Sequence, residues 1–127
     1  MSKKRILIVD DEPDFIAMTK ELLLDEGYAI DVAYNGVEAL EKVKANPPDA
    51  ILLDVMMPEK DGYQVCSELK KDSKYADIPV IMLTAVAENV TSSKYSHYQG
   101  INMEADDFLS KTASPDEIIN SIEAALS

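Results

Sequence analysis

Ile6-Leu7-Ile8-Val9-Asp10-Asp11-Glu12 is the stretch that decides the fold. Its apolar half is too short for a helix, is rich in branched side chains and never alternates with polar residues. A strand reads this way when both of its faces are buried, as in a parallel sheet. Two further runs repeat the pattern, Ala50-Ile51-Leu52-Leu53 and Pro79-Val80-Ile81-Met82-Leu83. Weaker strands are expected over Ala29–Ala33 and Asp107–Ser110.

Helical periodicity fills the intervals. Residues 14–26 place Phe15, Met18, Leu22 and Leu23 on one stripe, and Gly27 ends it. Residues 37–45 carry Val37, Leu40 and Val43 before Asn46-Pro47-Pro48 stops the helix. Residues 63–71 carry Val65, Cys66 and Leu69. Ser114-Pro115-Asp116-Glu117 has a cap, a proline at the first helical position and an acid at the third, and opens a helix with Ile118, Ile119, Ile122 and Leu126. A further helix is expected over residues 87–100, where periodicity is weakest. Strand and helix thus alternate through the chain. The fold class is α/β: a doubly wound five-stranded parallel sheet with five helices on its two faces and right-handed crossovers.

The 127 residues suit one domain, with no repeat, linker or low-complexity segment. The basic start, Lys3-Lys4-Arg5, is followed by too short an apolar run for a signal peptide, and no run is long enough to span a membrane, so a cytoplasmic protein is expected. Cys66 is the only cysteine, which excludes an internal disulfide and a cysteine-rich metal site. Lys and Arg number 12 against 24 Asp and Glu. Such a surface repels nucleic-acid phosphates and anionic lipids, so no direct nucleic-acid or membrane partner is expected.

In a sheet of this kind ligands bind beyond the carboxyl ends of the strands. The first strand ends in Asp10, Asp11 and Glu12, the third in Asp54, the fourth in Thr84, and the fifth is followed by Lys111. Each has an ordinary reading alone: a strand-end Asp as a helix cap, Thr84 as a strand residue, Lys111 as a solvated charge, Glu12 as an acid favoured by the helix dipole. Together they bring three carboxylates, a hydroxyl and an ammonium to one sheet edge. Carboxylates so close repel one another, and a hard divalent cation such as Mg²⁺ relieves that repulsion.

With these residues in view the chain resembles the receiver domain of two-component response regulators, the chemotaxis-type single-domain fold. The resemblance spans residues 1–127 and rests on Ile8-Val9-Asp10-Asp11-Glu12, Leu53-Asp54-Val55-Met56-Met57-Pro58 with Asp61-Gly62, Leu83-Thr84-Ala85, and Ala105-Asp106-Asp107-Phe108-Leu109-Ser110-Lys111. It implies a flavodoxin-like strand order of 2-1-3-4-5. It implies that Asp54 accepts a phosphoryl group from a sensor histidine kinase or phosphotransfer protein. It implies that Asp11, Asp54 and the backbone carbonyl of Met56 hold Mg²⁺ directly, with Asp10 acting through water. Lys111 would pair with Asp54 and then with a phosphoryl oxygen, and the Thr84 hydroxyl would bond another. Thr84 and Phe108 would form the switch, signalling through the helix over residues 87–100, the fifth strand and the last helix to a downstream protein or a fused output domain. Such a protein is a regulatory phosphoacceptor rather than an enzyme. Met56 and Val86 would flank the path of the hydrolytic water. Pro58 would shape the loop after the acceptor, and Gly62 would allow the turn into the next helix.

Two departures from the family pattern stand out. Thr112, not proline, follows Lys111. The interval between Thr84 and Lys111 is also a few residues longer than expected, with the excess in residues 95–103. His97, the only histidine, lies in that interval and reads as a surface residue. Rival readings are weaker. A small Mg²⁺-dependent aspartyl phosphatase wants Asp-x-Asp, whereas Asp10 and Asp11 are adjacent. A flavin binder wants a Ser/Thr/Gly-rich phosphate loop where this chain has acids. A receiver that only docks, without phosphorylation, fits the missing proline but not the intact acidic set.

Overall fold

A computed structural model describes residues 3–55, 57, 61–84 and 105–127. The elements run β1 (Arg5–Val9), α1 (Pro13–Asp25), β2 (Ala29–Ala33), α2 (Gly36–Ala45), β3 (Ala50–Asp54), α3 (Gly62–Lys71), β4 (Val80–Thr84), β5 (Asp107–Ser110) and α4 (Pro115–Leu126). The strands form one parallel sheet in the order β2-β1-β3-β4-β5. The helix expected over residues 87–100 and the longer interval at 95–103, with His97, lie outside the described residues.

The continuous apolar runs have a direct cause. Successive strand residues point to opposite faces, and both faces are covered. Leu7, Val9, Ile51, Leu53, Val80 and Met82 pack with Val43 of α2 and Val65, Cys66 and Leu69 of α3. Ile6, Ile8, Leu52, Ile81 and Leu83 pack with Phe15, Ile16 and Leu23 of α1 and with Ile118 and Ile122 of α4. Each fully buried side chain of this size contributes about 1.5–3 kcal/mol, and β1, β3 and β4 carry no polar residue between their ends, whereas the half-buried Asp31 inside β2 pairs with Lys42 at 3.2 Å. Polar residues gather at the strand ends.

The helix faces differ from expectation at two positions. Met18 and Val37, both placed on apolar stripes, are exposed. In α1 the buried positions are Phe15, Ile16, Thr19 and Leu23, so a threonine occupies the turn between the apolar contacts and Met18 faces outward. In α2 the buried line runs through Gly36, Ala39 and Val43, which rotates Val37 off the core.

The expected helix ends are present. Gly27 takes φ +95°, where L side chains are strained. Its N–H donates to the Leu24 carbonyl (3.0 Å), and the Tyr28 N–H donates to that of Leu23 (3.2 Å). This pair of bonds satisfies carbonyls at the end of α1. Asp61 with Gln64 and Ser114 with Glu117 form reciprocal capping boxes at the starts of α3 and α4. Among the described residues no helix is long and apolar enough to cross a membrane.

Candidate functional site: an acidic cluster at the sheet edge

Four of the five strands deliver a side chain to the carboxyl edge or just beyond it. Asp10 follows β1 and is fully buried. Its Oδ1 accepts the Glu12 N–H at 2.9 Å, and its own N–H donates to the Ala33 carbonyl at 3.1 Å, tying it to β2. Asp54 ends β3 in register with Leu83 and is nearly as buried. Thr84 ends β4 in register with Ser110, also buried. The Lys111 N–H donates to the Thr84 carbonyl at 2.9 Å, which carries the β4–β5 pairing one step beyond the strands.

Carboxylate oxygens of Asp10, Asp11 and Asp54 lie within 4.8 Å of one another. Asp11 is the exposed member and opens the cluster to solvent. An all-oxygen donor set with one solvent-facing carboxylate fits a hard divalent cation that keeps some of its waters. Met56, the expected carbonyl ligand, lies outside the described residues, as do Val86 and Pro58.

Lys111 faces the cluster with a side chain only 11% exposed. Its Nζ sits 2.8 Å from Asp10 Oδ2 and 3.8 Å from Asp54 Oδ2, and it donates to Glu12 Oε1. It also lies 4.8 Å from the centroid of the Phe15 ring, within cation–π range. Burial alone would lower the Lys111 pKa; hydrogen bonds to Asp10 and Glu12 and the charges of Asp54 and Asp10 outweigh that and hold it above 10.5. The ammonium is therefore charged at neutral pH. The Lys111–Thr112 bond is trans, and the ammonium nonetheless reaches the cluster without a proline after it.

The carboxylates and the ammonium expected from sequence thus meet, with Thr84 at the end of the neighbouring strand, but Lys111 is closer to Asp10 than to Asp54. Glu12, expected as an acid favoured by the helix dipole, gains a partner that the sequence did not show. It occupies the N-cap of α1 yet makes no side-chain capping bond, and its carboxylate goes to Lys111 instead. Phe15 was legible only as a core aromatic, and its ring serves both the core and the ammonium. Phe108, within the edge strand β5, is half-buried against the α2/α3 side of the core. Cys66 is a buried thiol of α3, as expected.

Gly62 has a different reason from the turn expected of it. A Cβ on Gly62 would stand 2.3 Å from the Asp54 carbonyl oxygen and 3.0 Å from the Val55 Cα. The Gly62 N–H also donates to the Val55 carbonyl at 3.0 Å. The start of α3 is thus pressed directly onto the backbone that carries Asp54.

Known proteins share this fold. The sequence profile of the response regulator receiver domain matches residues 6–123. A protein of Guillardia theta described as "Probable transcriptional regulator ycf27" is 41% identical, over 98% of this chain and 46% of its own length. The alkaline phosphatase synthesis transcriptional regulatory protein PhoP of Bacillus subtilis is 37% identical, over 97% of this chain and 48% of its own. This chain therefore spans about half the length of the curated relatives it matches. Among solved structures, the signal receiver domain of a signal transduction histidine kinase from Syntrophus aciditrophicus superposes with a TM-score of 0.85 at 33% identity, covering 97% of this chain and 89% of that one. Chemotaxis protein CheY4 of Vibrio cholerae superposes at 0.86 with 28% identity, covering 98% of this chain and all of that one.

Proposed function

Because the chain belongs to the response regulator receiver domain family, we propose that residues 1–127 form one phosphoacceptor domain and that Asp54 takes a phosphoryl group from a histidine kinase or phosphotransfer protein. The observation that carries this reading is the meeting of Asp10, Asp11 and Asp54 within 4.8 Å beside a charged, nearly buried Lys111. Phosphoryl transfer demands positioning and charge neutralisation more than covalent help. An Asp54 oxygen attacks phosphorus, the bond from phosphorus to the donor nitrogen breaks, and the leaving imidazole keeps the electron pair and takes up a proton.

Asp11, Asp54 and the Met56 carbonyl, with Asp10 acting through water, are the residues that would hold Mg²⁺. Bound there, the ion neutralises charge on the phosphoryl oxygens. Lys111 orients one of those oxygens and the Thr84 hydroxyl another. Drawing Thr84 towards the phosphoryl group frees space for Phe108, which already packs on the α2/α3 side of the core. The changed surface around β5 and α4 then meets a downstream protein or an output domain. Its relatives' description as transcriptional regulators favours an output domain as the target. In this reading the exchange between kinase and receiver takes place in the cytoplasm.

Incubation with acetyl phosphate and Mg²⁺, read by intact mass, tests the reading. The expected result is a gain of one phosphoryl group that is absent without Mg²⁺ and absent in Asp54→Asn. Unchanged labelling of Asp54→Asn would place the acceptor elsewhere, and a chain that takes no label would favour a docking-only receiver.

A further inference from the structure

Glu12 is placed to bond the first turn of α1 and does not. At an N-cap, side chains that reach the second or third N–H of the helix are favoured. The Glu12 side chain makes no such bond. Its carboxylate, 64% exposed, spans to Lys111 from the solvent side. The buried Asp10 carboxylate fixes the Glu12 backbone through a 2.9 Å bond, so the reach of Glu12 towards the ammonium is set by the same residue that pairs with it. The Phe15 ring, one turn along α1, lies 4.8 Å from the same ammonium. Asp10, Glu12 and Phe15 together draw Nζ to the α1 side of the cluster, and it stands 3.8 Å from Asp54.

We propose that Glu12 is a positioning residue that parks the Lys111 ammonium on the α1 side of the site, so that its release sets part of the rate at which Asp54 is phosphorylated. This rests on the phosphoacceptor reading above. In the resting protein Lys111 is shared among Asp10, Glu12 and Asp54. An incoming phosphoryl group needs that charge on its own oxygens. Asp10 is buried and stays beside the ammonium throughout, whereas the exposed Glu12 is the partner that must let go. An exposed ion pair is a weak hold, and losing it before the transition state slows the step by about 1.5- to 5-fold.

The test is the initial rate of Asp54 labelling by acetyl phosphate with Mg²⁺ in wild type, Glu12→Gln and Glu12→Asp. Glutamine removes the charge. Aspartate keeps it but is one methylene too short for Lys111 and well suited to capping α1 instead. Both variants are expected to label about 1.5- to 5-fold faster than wild type. Acceleration in Glu12→Gln alone would mean that Glu12 only adds to the general negative charge, and it would overturn the proposal. Unchanged or slower labelling in both would overturn it as well. A labelled wild type in these last cases leaves the phosphoacceptor reading standing; a wild type that takes no label overturns both.

Discussion

Replacing Gly62 by alanine tests how α3 supports the phosphoacceptor strand. The added Cβ would lie 2.3 Å from the Asp54 carbonyl oxygen and 3.0 Å from both the Asp54 carbonyl carbon and the Val55 Cα. All three are backbone atoms, so no side chain can swing away. Either the start of α3 lifts or the end of β3 retreats. Overpacking of this kind costs about 1–3 kcal/mol. A retreat at Asp54 is also a displacement at the reacting carboxylate, where an error near 1 Å can slow a reaction about 100-fold. Gly27→Ala is the matched control. Its Cβ would meet nothing within 4 Å, but φ is +95°, a left-handed strain of about 1–2 kcal/mol. Urea unfolding and acetyl phosphate labelling, run side by side, separate the two. Both variants lose stability, and only Gly62→Ala labels at least tenfold more slowly. A Gly62→Ala protein that labels like wild type, or a Gly27→Ala protein that labels as poorly as Gly62→Ala, would refute the reasoning.

The raised Lys111 pKa ties stability to alkaline pH. A lysine with a folded pKa above its unfolded value stabilises fully below the unfolded pKa and loses that contribution as pH rises through the folded one. The stability difference between wild type and Lys111→Met is therefore constant from neutral pH up to the ordinary lysine value of 10.5 and shrinks above it; a difference that stays flat above that value in urea unfolding would contradict the ion-pair account. Calorimetric titration with Mg²⁺ should show Asp11→Ala losing more affinity than Asp10→Ala, because Asp11 is the solvent-facing carboxylate and Asp10 is occupied by Lys111 and the Glu12 N–H. Ser114→Ala removes the cap that accepts the Glu117 N–H at 3.2 Å; it should cost about 1 kcal/mol in unfolding experiments and leave the labelling rate unchanged.

The strands were legible because burial on both sides leaves one kind of residue available for four or five positions running, as in Ile6-Leu7-Ile8-Val9. The strand-end residues were legible for the complementary reason: Asp10, Asp54 and Thr84 break those runs where the core ends. Helix faces were harder. Met18 and Val37 are apolar neighbours of buried positions, and composition cannot show which side of a stripe lies against the sheet. The Glu12–Lys111 contact joins residues at opposite ends of the chain, and an acid beside a proline at a helix start has a sufficient local explanation without it. Gly62 was visible as a glycine, but its requirement comes from the Asp54 backbone lying against it in space. Reach and clash are set by packing, which periodicity does not encode.

The most direct measurement of the central claim is the position of the phosphoryl group. An aspartyl phosphate is reduced by borohydride to homoserine, whereas unmodified carboxylates are not. Tandem mass spectrometry of the protein treated with acetyl phosphate and Mg²⁺ and then reduced should find homoserine at position 54 and aspartate intact at positions 10 and 11. Homoserine at position 10 or 11, or at none of the three, would contradict the assignment of Asp54 as the phosphoacceptor.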